Sequence, residues 1–353
     1  MQKSFTVFIL ALLITSCVKE VNPVIDGLDK SYLSGQGVFV INEGNFRAGN
    51  GSLSFFAYDS VKLYNNVFTE ANRRPLGDIP YSMGFFGGKA YIVVNNSGKI
   101  EVANRNNMKS IATITGLDSP RYISFVSDSK AYVTSLFSDS LTIIDLSSNS
   151  ISGYINIKKT SESILTLYST AYVASWTEGN KIMVINTATD MVTDSIEVGY
   201  EPESMALDWN ETLWVLCNGG WRREHFAELI GIDTRTNEIV KRLKFPSIND
   251  SPTCLQIDSE GRMLYFLLNG VRRMSINDES LPSQTLVPQL DHLFYKLGIN
   301  PFNNEIFVTD AVDYVSKGKL IRYRNNGALI SEYEAGIIPG TICFKEFTDS
   351  TSE

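Results

Sequence analysis

The sequence predicts an all-β fold, a seven-bladed β-propeller of four-stranded antiparallel blades closed by a C-terminal strand that completes the first blade. Three observations support this prediction. A unit of short strands recurs at an interval of roughly 40–50 residues, which is typical of propeller repeats. The strands are rich in Val, Ile, Tyr and Thr, and turn residues separate them. No long helical periodicity follows the N-terminal segment.

Each repeating unit opens in the same way, with a turn residue followed by an apolar strand. These openings, here called blade starts, occupy residues 80–83, 120–123, 161–164, 202–205, 252–255, 294–297 and 339–342. A second strand with a central aromatic residue follows the first six, at Tyr91, Tyr132, Tyr172, Trp214, Tyr265 and Phe307. Such sheets have two apolar faces, and packing blade against blade around an axis buries both.

The two ends of the repeat region predict how the ring closes. Residues 37–41 already match the second strand of a unit, so the first blade lacks its innermost strand. The seventh blade start begins at Pro339, near the C-terminus, and residues 341–345 are expected to supply the missing strand. The predicted propeller domain therefore spans 36–347, with a C-terminal tail over 348–353. An eight-bladed ring or an unclosed solenoid is the alternative.

The N-terminal segment predicts export and lipid anchoring. Lys3 precedes an apolar run that is too short to span a bilayer and is typical of a secretory signal. The residues before Cys17 resemble a bacterial lipobox, and Val-Lys-Glu after it resembles the Bacteroidetes export signal for surface lipoproteins. This resemblance implies a signal peptide over 1–16, a lipidated Cys17 with a flexible tether over 17–35, and an outer-membrane location facing the cell exterior. A cleaved signal with an incidental cysteine is the alternative.

Composition excludes several classes of function. A hydrophobic content of 43% is too high for a disordered chain, and a net charge of −8 argues against nucleic-acid binding. Two histidines leave little room for a histidine-based metal site, and no phosphate loop, Cys-x-x-Cys pair or nucleophile elbow occurs. We therefore predict no enzyme activity, no cofactor and no metal. Cys217, Cys254 and Cys343 are predicted to be buried thiols.

One edge of the predicted propeller collects the chemically distinctive loops. Strands one and three of a meander run the same way, so the loops between strands two and three share an edge with the links between blades. We call this edge the upper rim and the opposite edge the lower rim. Aromatic, Arg and amide side chains that converge there are typical of a recognition surface. The candidate ligand-binding residues are Asn42, Phe46, Tyr81, Asn95, Arg121, Phe137, Trp176, Trp221, Arg222 and Tyr314.

Two carboxylates leave a second interpretation of this rim open. Glu162 and Glu203 hold equivalent positions in adjacent blades, where they could form an acid–base pair or cap turns. An enzyme of the lactonase or lyase type is therefore one alternative to a binding protein. A scaffold that binds other proteins is another.

Two resemblances to known families add to this interpretation. Residues 130–145 and 181–202 resemble YVTN propeller repeats. Residues 38–46, 91–99 and 336–340 are similar to Bacteroidetes surface lipoproteins of propeller fold, whose best understood members form the cobalamin-capturing BtuG family. This resemblance implies cobalamin as a transported ligand and a TonB-dependent outer-membrane transporter as partner, with haem or iron–siderophore capture as the alternative. The candidate residues would then grip the corrin edges through Phe137, Trp176, Trp221 and Tyr314, and bond its amides and phosphate through Asn42, Asn95, Arg121 and Arg222.

Overall fold

The structure, a computed structural model, describes residues 31–345 and confirms the seven-bladed propeller. Seven sheets of four antiparallel strands follow one another along the chain, and neighbouring strands in sequence pair within each sheet. The predicted signal peptide, Cys17 and the last residues of the chain lie outside the described residues. No helix in the described part of the chain is long and apolar enough to cross a membrane.

The strands are numbered in chain order. Those of the first four blades are β1 Gly37–Asn42, β2 Ser52–Ala57, β3 Lys62–Tyr64, β4 Pro80–Phe86, β5 Lys89–Val94, β6 Lys99–Asn104, β7 Ser110–Thr115, β8 Pro120–Ser127, β9 Lys130–Ser135, β10 Ser140–Asp145, β11 Ser150–Asn156, β12 Ser161–Leu167, β13 Thr170–Ser175, β14 Lys181–Asn186 and β15 Met191–Glu197. Those of the remaining blades are β16 Pro202–Leu207, β17 Thr212–Cys217, β18 Glu228–Asp233, β19 Glu238–Lys244, β20 Thr253–Ile257, β21 Met263–Leu267, β22 Gly270–Ser275, β23 Val287–Pro288, β24 Phe294–Ile299, β25 Ile306–Asp310, β26 Lys317–Tyr323, β27 Leu329–Ile337 and β28 Pro339–Lys345.

The last strand of the chain closes the ring, as predicted. β28 is the innermost strand of blade one and pairs antiparallel with β1, in the sheet order β28-β1-β2-β3. Gly37 faces Lys345, and Phe39 faces Cys343. Blade one therefore depends on both ends of the propeller domain.

The hydrophobic core lies between blades rather than inside any one of them. Phe39 and Ile41 of blade one share a buried cluster with Ile92 and Val94 of blade two, and similar clusters join the other neighbours. The predicted central aromatic residues are at most 2% exposed, at Tyr91, Tyr132, Tyr172, Trp214, Tyr265 and Phe307. Burying the apolar faces of adjacent sheets, with these aromatic rings among them, is what holds the blades together.

Two short helical segments accompany blade one. The 3-10 helix η1 spans Ser31–Leu33 and the α-helix α1 spans Val67–Asn72, after the three-residue outer strand β3. Val67 and Phe68 are fully buried in the cluster between blades one and two. Helix α1 therefore contributes to the core beside a shortened outer strand.

The three predicted thiols are free within the described chain. Cys217 and Cys254 are buried as predicted, whereas Cys343 keeps partial exposure. Burial raises the pKa of Cys254 to about 11, which keeps its thiol protonated at neutral pH. These residues act as small apolar side chains of the inner and second strands.

Every inner strand is irregular at its upper end. The pairing register shifts there in all seven blades, for example between Pro80 and Ser82 and between Phe294 and Lys296. A bulge of this kind re-aims side chains that a regular strand would turn to alternate faces. It brings the second and third residues of each blade start into the same axial region, where they meet across blades.

Closure of the ring places a lysine in the interior. Lys345 is 2% exposed, and its ammonium donates a hydrogen bond to the Leu33 carbonyl. Burial lowers the pKa of Lys345 from its ordinary value of 10.5 to about 8. Between these two pH values the unfolded chain holds a proton that the folded chain has released, so stability rises with pH across this window.

We expect this rise to disappear in Lys345→Met. Urea unfolding of both proteins at pH 7.5 and pH 9.5 checks it, because the other titrating groups are common to both. The stability of the wild type relative to the variant should increase at the higher pH. A constant difference between the two proteins would show that Lys345 is not a depressed-pKa group.

Candidate ligand-binding rim

The upper rim is built from the loops between strands two and three of each blade. These loops span residues 43–51, 95–98, 136–139, 176–180, 218–227, 268–269 and 311–316. In six blades the first backbone N–H after strand two donates to the carbonyl just before strand one: Glu43 to Ile338, Asn95 to Ile79, Leu136 to Ser119, Trp176 to Thr160, Asn218 to Glu201 and Ala311 to Leu293. Each of these six loops is thereby fixed to the start of its own inner strand.

Hydrogen bonds also join the loops of blades seven, one and two. The Asn45 amide donates to the Tyr314 carbonyl at 3.1 Å, which links the loop of blade one to that of blade seven. The Arg47 backbone N–H donates to the Asp78 carboxylate at 3.0 Å on the link to blade two. The loops that carry Phe46 and Tyr314 are therefore neighbours.

The two tryptophan-bearing loops share one carboxylate. Glu201, which is 7% exposed, accepts the Trp221 backbone N–H at 3.0 Å through one oxygen and the Glu178 N–H at 3.4 Å through the other. Glu178 lies two residues beyond Trp176 in the loop of blade four. The structure therefore places Trp176 and Trp221 on the same edge of adjacent blades.

Four predicted aromatic side chains are solvent-exposed on this rim. Trp221 is 86% exposed, Phe137 70%, Phe46 64% and Tyr314 45%. Trp176 is partly buried, and Arg222 is exposed beside Trp221. Large exposed apolar side chains gathered on one edge are typical of a binding surface.

The backbone holds Trp221 outward. Gly220 has φ 97°, and a Cβ there would lie 2.9 Å from the Tyr200 ring. The turn therefore requires glycine at this position. The Glu224 carboxylate accepts the Arg222 backbone N–H at 3.0 Å and tightens the same turn.

Two predicted amide residues are occupied within the fold. Asn42 is fully buried; its amide donates to Ser52 Oγ and Ser54 Oγ and its oxygen accepts the Gly336 N–H at 3.0 Å. Asn95 is 9% exposed and donates to the Pro120 carbonyl at 3.0 Å. Both side chains therefore join strands and blades beneath the rim.

Tyr81 and Arg121 lie in a buried ionic cluster at the axis. Arg121 binds Glu162 through two hydrogen bonds of 2.7 and 2.8 Å, and its guanidinium lies 3.4 Å from the centre of the Tyr81 ring. The Tyr81 hydroxyl donates to Glu162 at 2.7 Å. Glu162 is 3% exposed and Tyr81 6%, so these groups brace three blades below the exposed aromatic side chains.

Glu203, the second carboxylate of the proposed acid–base pair, has a capping role. Its Oε2 accepts the Cys254 backbone N–H of the next blade at 2.8 Å. Glu162 is already paired with Arg121. The capping interpretation of Glu203 is therefore the one that agrees with the geometry.

Three axial residues are not among the candidates chosen from the sequence. Tyr295 donates to Glu43 Oε1 at 2.9 Å, and Lys296 lies 3.9 Å from Glu203 Oε1. Burial raises the pKa of Glu43, and the positive charge of Lys296 opposes that rise. Tyr295 and Lys296 occupy the blade-start positions that Arg121 and Tyr122 occupy in blade three, so comparing equivalent positions of the blade starts would have identified these two residues.

No group of carboxylate, cysteine and histidine side chains in residues 31–345 is arranged to hold a metal ion. Asp310 is bonded to His292 Nδ1 at 2.7 Å and to the backbone N–H of Val312. Asp313 accepts the N–H groups of Val315 and Ser316. These two carboxylates stabilise the turn of blade seven.

The closed ring of seven four-stranded blades defines this chain as a seven-bladed β-propeller whose loops share one rim. Comparison with protein-family models gives a match over residues 36–338 to the family described as Domain of unknown function (DUF5074). The chain belongs to that family. The comparison with curated proteins gives no match.

Solved structures similar to this chain are propellers of diverse description. A quinonprotein alcohol dehydrogenase-like protein from Bacteroides thetaiotaomicron is 13% identical with a TM-score of 0.66, covering 88% of this chain and 78% of its own. A putative 6-phosphogluconolactonase from Bacteroides fragilis is 11% identical with a TM-score of 0.66, covering 88% and 98%. Virginiamycin B lyase from Staphylococcus aureus is 16% identical with a TM-score of 0.57, covering 72% and 84%. At these identities the similarity shows the fold alone.

Proposed function

We propose that this protein is a cell-surface lipoprotein that captures cobalamin and passes it to a TonB-dependent outer-membrane transporter. The observation that carries the proposal is the set of exposed aromatic side chains on one rim, at Phe46, Phe137, Trp221 and Tyr314. Beneath them, buried polar side chains such as Arg121 and Glu162 line the axis. No group of side chains within residues 31–345 is arranged to hold a metal ion. Such a surface suits recognition better than chemistry.

The chemistry of the rim suits a large, flat ligand that carries amides. Aromatic rings provide stacking area at low conformational cost, which matches the edges of a corrin ring. Arg222 is exposed next to Trp221 and offers a planar group of donors for a phosphate. The resemblance of residues 38–46, 91–99 and 336–340 to cobalamin-capturing lipoproteins supports cobalamin among ligands of this kind.

The catalytic alternative has less support. An acid–base mechanism needs two carboxyl groups that are free to exchange protons with a substrate. Glu162 is held by Arg121 and Tyr81, and Glu203 accepts a backbone N–H. Glu162 is therefore not free to exchange protons, so the pair lacks one of its two members, which favours capture over a lactonase or lyase reaction.

Titration of the protein with cyanocobalamin tests the proposal. We expect saturable binding, with Trp221→Ala and Phe137→Ala each weakening affinity by roughly 30-fold, since truncating a central aromatic anchor costs about 2 kcal/mol. The thermal stability of both variants should stay near that of the wild type because the two side chains are exposed. Isothermal titration and dissociation rates measure the effect.

Trp209→Ala is the matched control for these variants. Trp209 is 60% exposed but lies in the turn between β16 and β17, on the lower rim. Its removal should leave affinity unchanged. Absence of any heat with cyanocobalamin at micromolar protein would reject cobalamin capture, and parallel titrations with haem and a ferric siderophore would then assign the rim to one of the alternative ligands.

A further inference from the structure

The third residue of each blade start forms a polar layer around the axis, just below the ionic cluster. This layer consists of Ser82, Tyr122, Ser163, Ser204, Cys254, Lys296 and Thr341. The bulge at the top of every inner strand allows these side chains to approach the next blade.

Three members of this layer bond one blade to the next. Ser82 Oγ donates to the Arg121 carbonyl at 2.6 Å, and Thr341 Oγ1 donates to the Tyr81 carbonyl at 2.7 Å. Cys254 Sγ approaches the Tyr295 carbonyl at 3.7 Å. In each case the third residue of one blade bonds the second residue of the following blade. The pattern is architectural and its polar groups are satisfied.

Two other members of the layer, Ser163 and Lys296, do not make this contact. Ser163 Oγ is buried without a hydrogen-bond partner in the described structure. The nearest carboxylate oxygen to the Lys296 ammonium is Glu203 Oε1, at 3.9 Å, which is beyond hydrogen-bond distance. A buried donor without an acceptor is costly in a folded protein, so Ser163 calls for a partner from outside the fold. The Lys296 ammonium keeps partial exposure and has no carboxylate within hydrogen-bond distance, so it can bind the same partner.

Ser163, Lys296 and Glu203 line one cavity. Its volume is ≈ 190 Å³, and Tyr122 and Thr341 also line it. A water molecule takes about 30 Å³ of liquid volume, so the cavity has room for a group of several heavy atoms. Lys296 and Glu203 keep 14% and 11% of their side chains exposed, so the cavity is open to solvent.

We propose that this axial cavity is a subsite for a carboxamide group of the captured ligand, an inference that rests on the proposed capture function and deepens it. The carbonyl oxygen of the amide accepts hydrogen bonds from Lys296 and Ser163. Its NH₂ group donates to Glu203 Oε1, the oxygen that Cys254 N–H leaves unused. One group thus gives Ser163 Oγ its missing partner and bridges the 3.9 Å gap between Lys296 and Glu203.

The surrounding charges favour a neutral amide over a carboxylate. Glu43, Glu162 and Glu203 face this region of the axis, against the two cations Arg121 and Lys296, and the Arg121 charge is already paired with Glu162. A ligand carboxylate would add a negative charge to this set and would meet Glu203 without a proton to donate. A carboxamide has a carbonyl oxygen that accepts and an NH₂ group that donates to Glu203, and it adds no charge.

Saturation-transfer NMR with propionamide as the probe tests this subsite. We expect a signal from the wild-type protein, a much weaker one with propionate, and none from Lys296→Met/Glu203→Met, which removes both polar partners while conserving charge balance. Ser163→Ala, which deletes only a hydroxyl, should weaken propionamide binding about fivefold, the value of one hydrogen bond of about 1 kcal/mol. Trp209→Ala on the lower rim should leave the signal unchanged.

Thermal unfolding of each variant establishes that it is folded. If the double variant is not folded, the propionamide signal of Ser163→Ala tests the subsite. Equal propionamide signals in the wild type and in Ser163→Ala, no signal from the wild type, or a stronger signal from propionate would each overturn the subsite. Cyanocobalamin titration of the same proteins separates the two proposals. Cobalamin binding without a propionamide signal supports capture and rejects the subsite. A propionamide signal without cobalamin binding supports the subsite and rejects cobalamin capture.

Discussion

Deletion of residues 339–353 is expected to abolish cooperative folding of the propeller. The deletion removes β28, the innermost strand of blade one, and exposes the pairing edge of β1. Val38, Phe39 and Val40 of β1 are fully buried in the intact ring and would lose cover on that side. The ring would then be open between blades one and seven.

The size of this effect follows from what the strand buries. Ile342 and Phe344 pack with the cluster between blades seven and one, and Phe344 contacts the Phe307 ring with centres 5.5 Å apart. Both side chains are partly buried, so each contributes less than the roughly 1.5–3 kcal/mol of full burial, and the strand adds the backbone hydrogen bonds of its pairing with β1. The summed contribution is a large part of the roughly 5–15 kcal/mol by which a domain is stable.

A chain ending at Phe347 is the matched control, because it keeps the whole of β28. It should unfold cooperatively at the wild-type temperature in calorimetry or circular dichroism, whereas the chain ending at Ile338 should show no such transition. Adding a synthetic peptide of residues 339–347 should restore part of the transition. A full cooperative transition in the 1–338 chain would show that the ring closes without the C-terminal strand.

The fold was predictable because its determinants are local and repeated. Seven blade starts and six central aromatic residues indicate the same repeating unit. Gly37 begins a second strand without an inner strand before it, and Pro339 begins an inner strand without a blade after it, which indicates how the ring closes. Helix α1 over Val67–Asn72 was not predicted, since six residues are too few for helical periodicity to be recognised. The outer strand β23 has two residues, which are too few for the alternation of a strand to be recognised.

The sequence predicted the exposure of a candidate side chain correctly only where the residue lies inside a loop. Phe137 and Trp221 lie well inside loops, and they are exposed. Asn42 ends β1 and Asn95 follows β5, where a shift of one residue decides whether a side chain faces the sheet or solvent, and both face inward. The partnership of Tyr295 with Glu43 joins residues 252 positions apart and depends on the bulged inner strands, which no local pattern reveals.

Replacing Arg121 by methionine is expected to destabilise the protein by about 3–5 kcal/mol, the usual cost of leaving one member of a buried ion pair without its partner. Arg121 and Glu162 keep only 14% and 3% of their side chains exposed, so water cannot replace the lost interaction. The substitution removes two hydrogen bonds to Glu162 and the stacking of the guanidinium on the Tyr81 ring. Chemical unfolding at pH 7 measures the loss.

Two further variants separate the ion pair from the loss of a long side chain. Arg121→Met/Glu162→Gln removes both charges, and we expect it to be more stable than Arg121→Met alone, since the remaining carboxylate causes most of the cost. Arg235→Met breaks the pair with Asp233 at 2.9 Å, but Arg235 is 72% exposed, so its loss should leave the stability near that of the wild type. If Arg121→Met costs as little as Arg235→Met, the axial cluster does not brace the blades, and Arg121 is free to serve the ligand instead.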